Sequence, residues 1–190
     1  MTMSKQVSSL CQSTNFQLWN IRRIKKYLDN DTLHYVVRAL VLSRIDYGNL
    51  LLFGATSYEL DRVQRLQNSA ACLICSTPLR EHITPSLREL HWLPIRERIY
   101  FKIALLVFKC LNKTTPRYIS TLLSHYTPPR FLRSTLDITR LNVPRANKVL
   151  GQKAFSVAGP MIWNNLPPVI RESVSLSSFR KALKTHLFPC

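Results

Sequence analysis

Apolar positions recur at helical rather than strand spacing along most of the chain. Over residues 15–28, NFQLWNIRRIKKYL, Leu18, Ile21, Ile24 and Leu28 share one face while Arg22 and Lys26 sit four apart on another, which predicts an amphipathic helix. Asn30 or Asp31 is a good N-cap for a second helix through LHYVVRALVLSRI, whose near-continuous apolar character predicts a core helix buried on most sides. Gly48 ends it, and a short apolar turn over residues 50–53 leads to Gly54. Ser57 then caps YELDRVQRLQNSAACLIC, with Leu60, Val63, Leu66 and Ala70 as the inward row. Pro78 and Pro85 bracket a polar loop holding His82, and Ser86 caps a short helix through LRELHW. Proline in a first helical turn has no amide hydrogen to lose, so Pro94 opens the strongest helical pattern of the chain, LPIRERIYFKIALLVFKCLN, running to about Leu111. Ile95, Ile99, Ile103, Leu106 and Cys110 form its apolar stripe.

Pro116 opens another short helix, PRYISTLLSH, and Pro128 with Pro129 closes this helical region. Residues 130–153 read differently. LDITRLNVP alternates imperfectly and is rich in β-branched residues, which predicts two short strands or an extended arm closed by Gly151. Residues 153–170 give a short helix with Trp163 as an anchor before LPP, and Ser175 or Ser177 caps a final helix, SFRKALKTHLF. There Phe179, Leu183 and Leu187 point inward, and Arg180, Lys181 and Lys184 outward. The predicted fold is mainly α: a helical region over residues 1–127, then over 128–190 a short extended or β-hairpin arm with C-terminal helices.

Charge changes the picture. Among 190 residues, 27 Lys and Arg face 10 Asp and Glu, a net charge of +17. Such a field attracts polyanions, with nucleic acid the first partner to consider. The excess is uneven: residues 1–97 hold 12 basic and 8 acidic side chains, whereas residues 98–190 hold 15 and 2. After Glu97 only Asp137 and Glu172 are acidic, so most basic groups there face solvent or a ligand. A basic surface serving solubility alone is the competing reading. No apolar leader opens the chain and no stretch is long enough to span a membrane, so an intracellular location, nuclear or cytoplasmic, without a membrane partner is expected. The five cysteines are odd in number and scattered, and read as reduced thiols.

Catalytic patterns are missing. Two-metal polymerase or nuclease chemistry needs closely placed carboxylates. Asp46 in SRIDYGN is a lone acid read as a local cap or a partner of Arg44, and Asp29 with Asp31 and Glu59 with Asp61 lie where helices begin. Cys72 and Cys75, with His82 and His91 downstream, have poor zinc spacing and read as small buried side chains. Neither a nucleophile elbow nor a phosphate-binding glycine loop occurs, and four glycines could hardly supply one. The expectation is no enzyme, no metal, no cofactor and no small-molecule substrate. At 100° per residue, Arg98, Lys102, Lys109 and Lys113 fall within about 60° of one another, a basic stripe on the outer edge of the 94–111 helix. Arg130, Arg133, Arg140, Arg145 and Lys148 follow on the arm. All nine are assigned to phosphate contact, which gives affinity without sequence information. Of the aromatic residues interspersed with them (Trp19, Tyr27, Trp92, Tyr118, Tyr126, Phe131 and Trp163), most are expected in the core, with Trp92 and Trp163 as packing anchors. Tyr126 or Phe131, beside Arg130 and Arg133, is placed to reach a base.

Several of these segments, taken in order, resemble the region downstream of the catalytic palm in reverse transcriptases of non-LTR (LINE-type, jockey-like) retrotransposons. The matching stretches are SRIDYGNLLL (43–52), RVQRLQNSAA (62–71), HITPSLRELHWLPIRERIYFKI (82–103), LRS (132–134), VPR (143–145), GQKAFSVAGPMIWNNLP (151–167) and SLSSFRKALKTHLF (175–188). The resemblance spans nearly the whole chain and implies a helical thumb-like bundle with the C-terminal domain behind it, which hold template and primer RNA or DNA. Cys72 stands where the family commonly has Arg, and Gly48 where Cys is usual. The family's palm, with its Y-x-D-D metal motif, and its endonuclease domain would precede Met1, so the resemblance implies a chain that does not polymerise alone. It looks like a truncated element copy, a gene-model fragment or a retained remnant, with the absent palm as a further partner. The alternative is an orphaned interaction or structural remnant without independent activity.

Overall fold

The structure, a computed structural model, describes residues 3–78, 81–127 and 139–188. It is mainly helical, as the periodicity predicts, and divides into two compact units, residues 1–99 and 100–190. The division falls inside the long helix rather than beside Pro128, which with Pro129 lies outside the described residues.

In the first unit, α1 (Met3–Ile24) is longer than the apolar pattern predicts. Val7, Thr14, Leu18 and Ile21 form its buried row, at spacings of three, four and seven that small polar residues such as Ser8, Ser9 and Ser13 disguise. Ile24 and Tyr27, beyond that row, are exposed. Asp29, rather than Asn30 or Asp31, caps α2 (Asn30–Val37), its carboxylate accepting from Thr32 N–H at 3.0 Å. The Thr32 hydroxyl first, and then this N–H, hold the Asp29 carboxyl below its ordinary range. A π-helical turn, Arg38–Leu42, links α2 to α3 (Ser43–Asp46). Its extra residue per turn buries both Val41 and Leu42 while keeping Ile45 in line with Leu33 and Val37. The run is nonetheless amphipathic, with Tyr35, Arg38 and Leu40 exposed, rather than buried on most sides as its composition predicts.

Gly48 takes φ +64° and turns the chain into a 3₁₀ segment, Asn49–Leu52. Thr56, one residue before the expected Ser57, caps α4 (Ser57–Cys75) through a capping box with Glu59. Val63, Leu66 and Ala70 are buried along α4, and α1 packs against it. Ser86 lies buried within α5 (Thr84–Glu89), sharing a 2.8 Å hydrogen bond with Thr77, so it does not cap that helix.

The start of α6 (Ile95–Leu111) is fixed by glutamines of α4. Gln67, fully buried, donates to Leu93 O at 2.8 Å, and Gln64 Oε1 accepts from Ile95 N–H at 2.8 Å. Pro94 between them needs no acceptor, because it has no N–H.

In the second unit, the continuation of α6 packs with the helices that follow residue 148. Phe108 stacks on Phe179 at a centroid separation of 4.3 Å, and Trp163 closes the cluster 5.7 Å from Phe179. Gly159 permits close approach, since a Cβ there would meet Val107 Cγ2 at 3.1 Å. The remaining elements are α7 (Arg117–Ser120), α8 (Val149–Gln152), α9 (Phe155–Asn164), α10 (Pro168–Arg171) and α11 (Leu176–Leu187). Ser175 caps α11 with Ser178 in a capping box, and Phe179 and Leu183 are fully buried.

The described part of the arm forms no regular strand. Its β character is one antiparallel bridge, His125 to Leu141, with Asn142 N–H donating to Ser124 O (2.8 Å) and Tyr126 N–H to Arg140 O (3.0 Å). A third strand is replaced by one side chain: Leu141 N–H donates to Asn164 Oδ1 (2.9 Å) and Asn164 Nδ2 donates to Leu141 O (2.8 Å). Gly151, expected to close a strand, lies in α8.

Candidate nucleic-acid interface

Local chemistry sorts the expected basic stripe into different environments. Arg98 Nη1 lies 3.0 Å from Asp46 Oδ1, with the Arg98 side chain only 14% exposed. Asp46 has the structural role expected of it, accepting locally from Asn49 Nδ2 at 3.4 Å, but its cationic partner is Arg98 rather than Arg44, and the pairing holds Arg98 against the fold. Lys102 and Lys109 are half-buried on α6. Lys113 is exposed but lies past the helix, at φ +55°, where Lys113 N–H donates to Cys110 O and Thr114 N–H to Lys109 O. Helical dihedrals stop at Leu111, so the 100° progression that placed Lys113 on the stripe no longer applies there.

The arm is better placed. Thr139 O accepts from Trp163 Nε1 at 2.8 Å and Thr139 Oγ1 from Arg171 Nη1 at 2.9 Å. With the Asn164 clamp on Leu141, these contacts fix residues 139–141 of the arm to α9 and α10. Arg171, a buried cation, also donates to Leu166 O at 3.0 Å and is thereby structural. Beyond the clamp, Arg140, Arg145, Lys148 and Lys153 are exposed. Arg145, Lys148 and Lys153 have no ion-pair partner among the described residues. Arg180 and Lys181 are exposed on α11. Arg130, Arg133 and Phe131 lie outside the described residues.

Trp92 (4% exposed) and Trp163 (1%) are packing anchors, as expected. Trp19 and Tyr27 are exposed, as are Tyr118 and Tyr126. The exposure of Trp19 follows from its place opposite the buried row of α1, a row that residues 15–28 alone under-determine.

Four of the described carboxylates have named partners. Asp29 and Glu59 cap helices, Asp46 holds Arg98, and Asp61 lies 4.0 Å from Arg96. Among the described residues no three His, Cys, Asp or Glu side chains converge as metal ligands, and no helix is long and apolar enough to cross a membrane. Cys11, Cys72, Cys75 and Cys110 are unbridged, and burial, then the charge of Glu89, pushes the Cys75 thiol up from its ordinary range.

Comparison with protein-family models, curated proteins and solved structures finds no match to this chain.

Proposed function

We propose that the chain is a non-catalytic nucleic-acid-binding region of the kind that follows the palm in non-LTR retrotransposon reverse transcriptases, gripping template and primer through phosphate contacts. One observation carries the reading: Arg145, Lys148 and Lys153 are exposed, without an ion-pair partner among the described residues, on a segment clamped at Thr139 and Leu141 by Trp163, Asn164 and Arg171. That segment belongs to residues 98–190, where 15 basic residues face 2 acids. A clamped cationic segment loses less entropy on meeting a phosphate backbone than a free one.

The test is fluorescence anisotropy of the full chain with 20-base-pair DNA and RNA–DNA duplexes of unrelated sequence. Binding in about the micromolar range, alike for all sequences, is expected. The triple reversal Arg145→Glu, Lys148→Glu, Lys153→Glu weakens it at least about tenfold. Unchanged affinity in that variant refutes the reading.

A second reading rests on a different observation. Val149, Leu150, Val169 and Val174 are each exposed, Val174 at 97%, and exposed apolar side chains of this kind favour docking on another protein. Light scattering separates the two: aggregates indifferent to nucleic acid favour docking, and a monomer that binds duplex favours the grip.

A further inference from the structure

The end of α1 carries a second cationic feature, distinct from the arm and built around rings. Phe16 (59% exposed) and Trp19 (51%) stack with centroids 6.5 Å apart and an interplanar angle of 24°. The Arg23 guanidinium lies 4.7 Å from the Trp19 ring centroid, and Lys26 Nζ lies 4.8 Å from that of the exposed Tyr27. Arg22, Arg23 and Lys26 are exposed. Lys25 is the exception in this run, because it donates to Leu73 O (2.7 Å) and Ser76 Oγ (2.9 Å) and so completes the end of α4. Residues 1–28 hold five basic residues and no acid.

We propose that Phe16, Trp19 and Tyr27, with Arg22, Arg23 and Lys26, form a stacking site for unpaired bases of a single-stranded nucleic acid. This rests on the nucleic-acid reading above but assigns a different strand and different residues. Every base has a π-face, so exposed rings bind single strands with little regard to sequence, and the flanking cations meet the phosphates. In a duplex those faces are already stacked and the rings have nothing to take. Charge complementarity favours a polyanion, because residues 1–28 hold no acid and the next one, Asp29, is engaged as the cap of α2. The remainder of the outward face of α1 disfavours a lipid surface. Ser4, Ser8, Gln12 and Asn15 continue the line that reaches Trp19, whereas interfacial helices present a continuous apolar stripe.

The three tryptophans make the test specific. Trp92 and Trp163 are buried, and Trp163 clamps the arm, so quenching by an added ligand that is lost in Trp19→Phe reports Trp19. The full chain is titrated with a 20-nucleotide oligo-uridine, the matched RNA duplex, and phosphatidylcholine–phosphatidylserine vesicles. Quenching by oligo-uridine is expected, and Trp19→Ala weakens its binding at least about fivefold, lowering the ratio of single-strand to duplex affinity. Trp19→Phe restores it, and both variants keep the far-UV circular dichroism of the parent. Absent quenching, wild-type affinity in Trp19→Ala, or an emission shift with vesicles instead of the oligonucleotide overturns the proposal. If duplex binding still falls on reversal of Arg145, Lys148 and Lys153 while Trp19→Ala has no effect, only the stacking site is lost. If neither nucleic acid binds at all, both proposals fall.

Discussion

Asn164 is the single side chain on which the arm most depends, and Asn164→Ala tests that dependence. Its carboxamide donates to Leu141 O at 2.8 Å and accepts from Leu141 N–H at 2.9 Å, and Leu141 itself is buried. Two amide hydrogen bonds at about 1 kcal/mol each set a loss near 2 kcal/mol. Stranding the N–H and C=O of a buried residue raises it towards about 4 kcal/mol, less whatever water recovers. Asn164→Asp keeps the acceptor but turns a carboxylate oxygen towards Leu141 O, so it is expected to cost at least as much. The assay is guanidinium unfolding followed by hydrogen exchange of the Leu141 amide. Both variants should lower the unfolding free energy by about 2–4 kcal/mol and strip protection from Leu141. Duplex affinity of Asn164→Ala should fall although its charge is that of the parent, because the arm loses its attachment. A loss below about 0.5 kcal/mol with Leu141 still protected refutes the reasoning.

Asp46→Asn leaves Arg98 without its carboxylate and should destabilise the fold by about 1–2 kcal/mol, read as a lower urea midpoint at unchanged slope. Arg98→Gln should cost a similar amount yet leave the salt dependence of nucleic-acid binding unchanged, which distinguishes a structural cation from a phosphate ligand. Lys113→Gly relieves a left-handed backbone at φ +55° and should stabilise by about 0.5–1 kcal/mol in the same assay. Cys75 should alkylate only at a pH above that of an ordinary thiol, and Glu89→Gln should lower the pH it requires, monitored by mass spectrometry of iodoacetamide adducts. Because the folded pKa lies above the unfolded one, the stability that Cys75 contributes as a neutral thiol is lost as pH rises through the folded value.

Helix periodicity was legible where tertiary packing follows one stripe. Ile95, Ile99, Ile103 and Cys110 on α6, and Phe179 and Leu183 on α11, are buried as their spacing predicts. It failed where one side chain replaces regular structure. The β-branched residues around Leu141 suggested strands, but the neighbour across one edge is the Asn164 carboxamide, a long-range partner with no local signature. Caps slipped by one residue at Asp29 and Thr56 because several adjacent side chains can serve and only backbone geometry chooses. The basic stripe was drawn from angle alone. Angle places Arg98 beside Lys102 but says nothing of Asp46, more than fifty residues away, whose charge claims it.

The most direct measurement of the proposed grip is the affinity of the full chain for a duplex as sodium chloride rises from 50 to 200 mM. Counterion release by several phosphate contacts gives log K falling linearly with log salt, and replacing Arg145, Lys148 and Lys153 together with Gln makes that slope shallower by about 2–3. A flat line for the wild-type chain, or the same slope in the triple variant, contradicts phosphate recognition by these side chains.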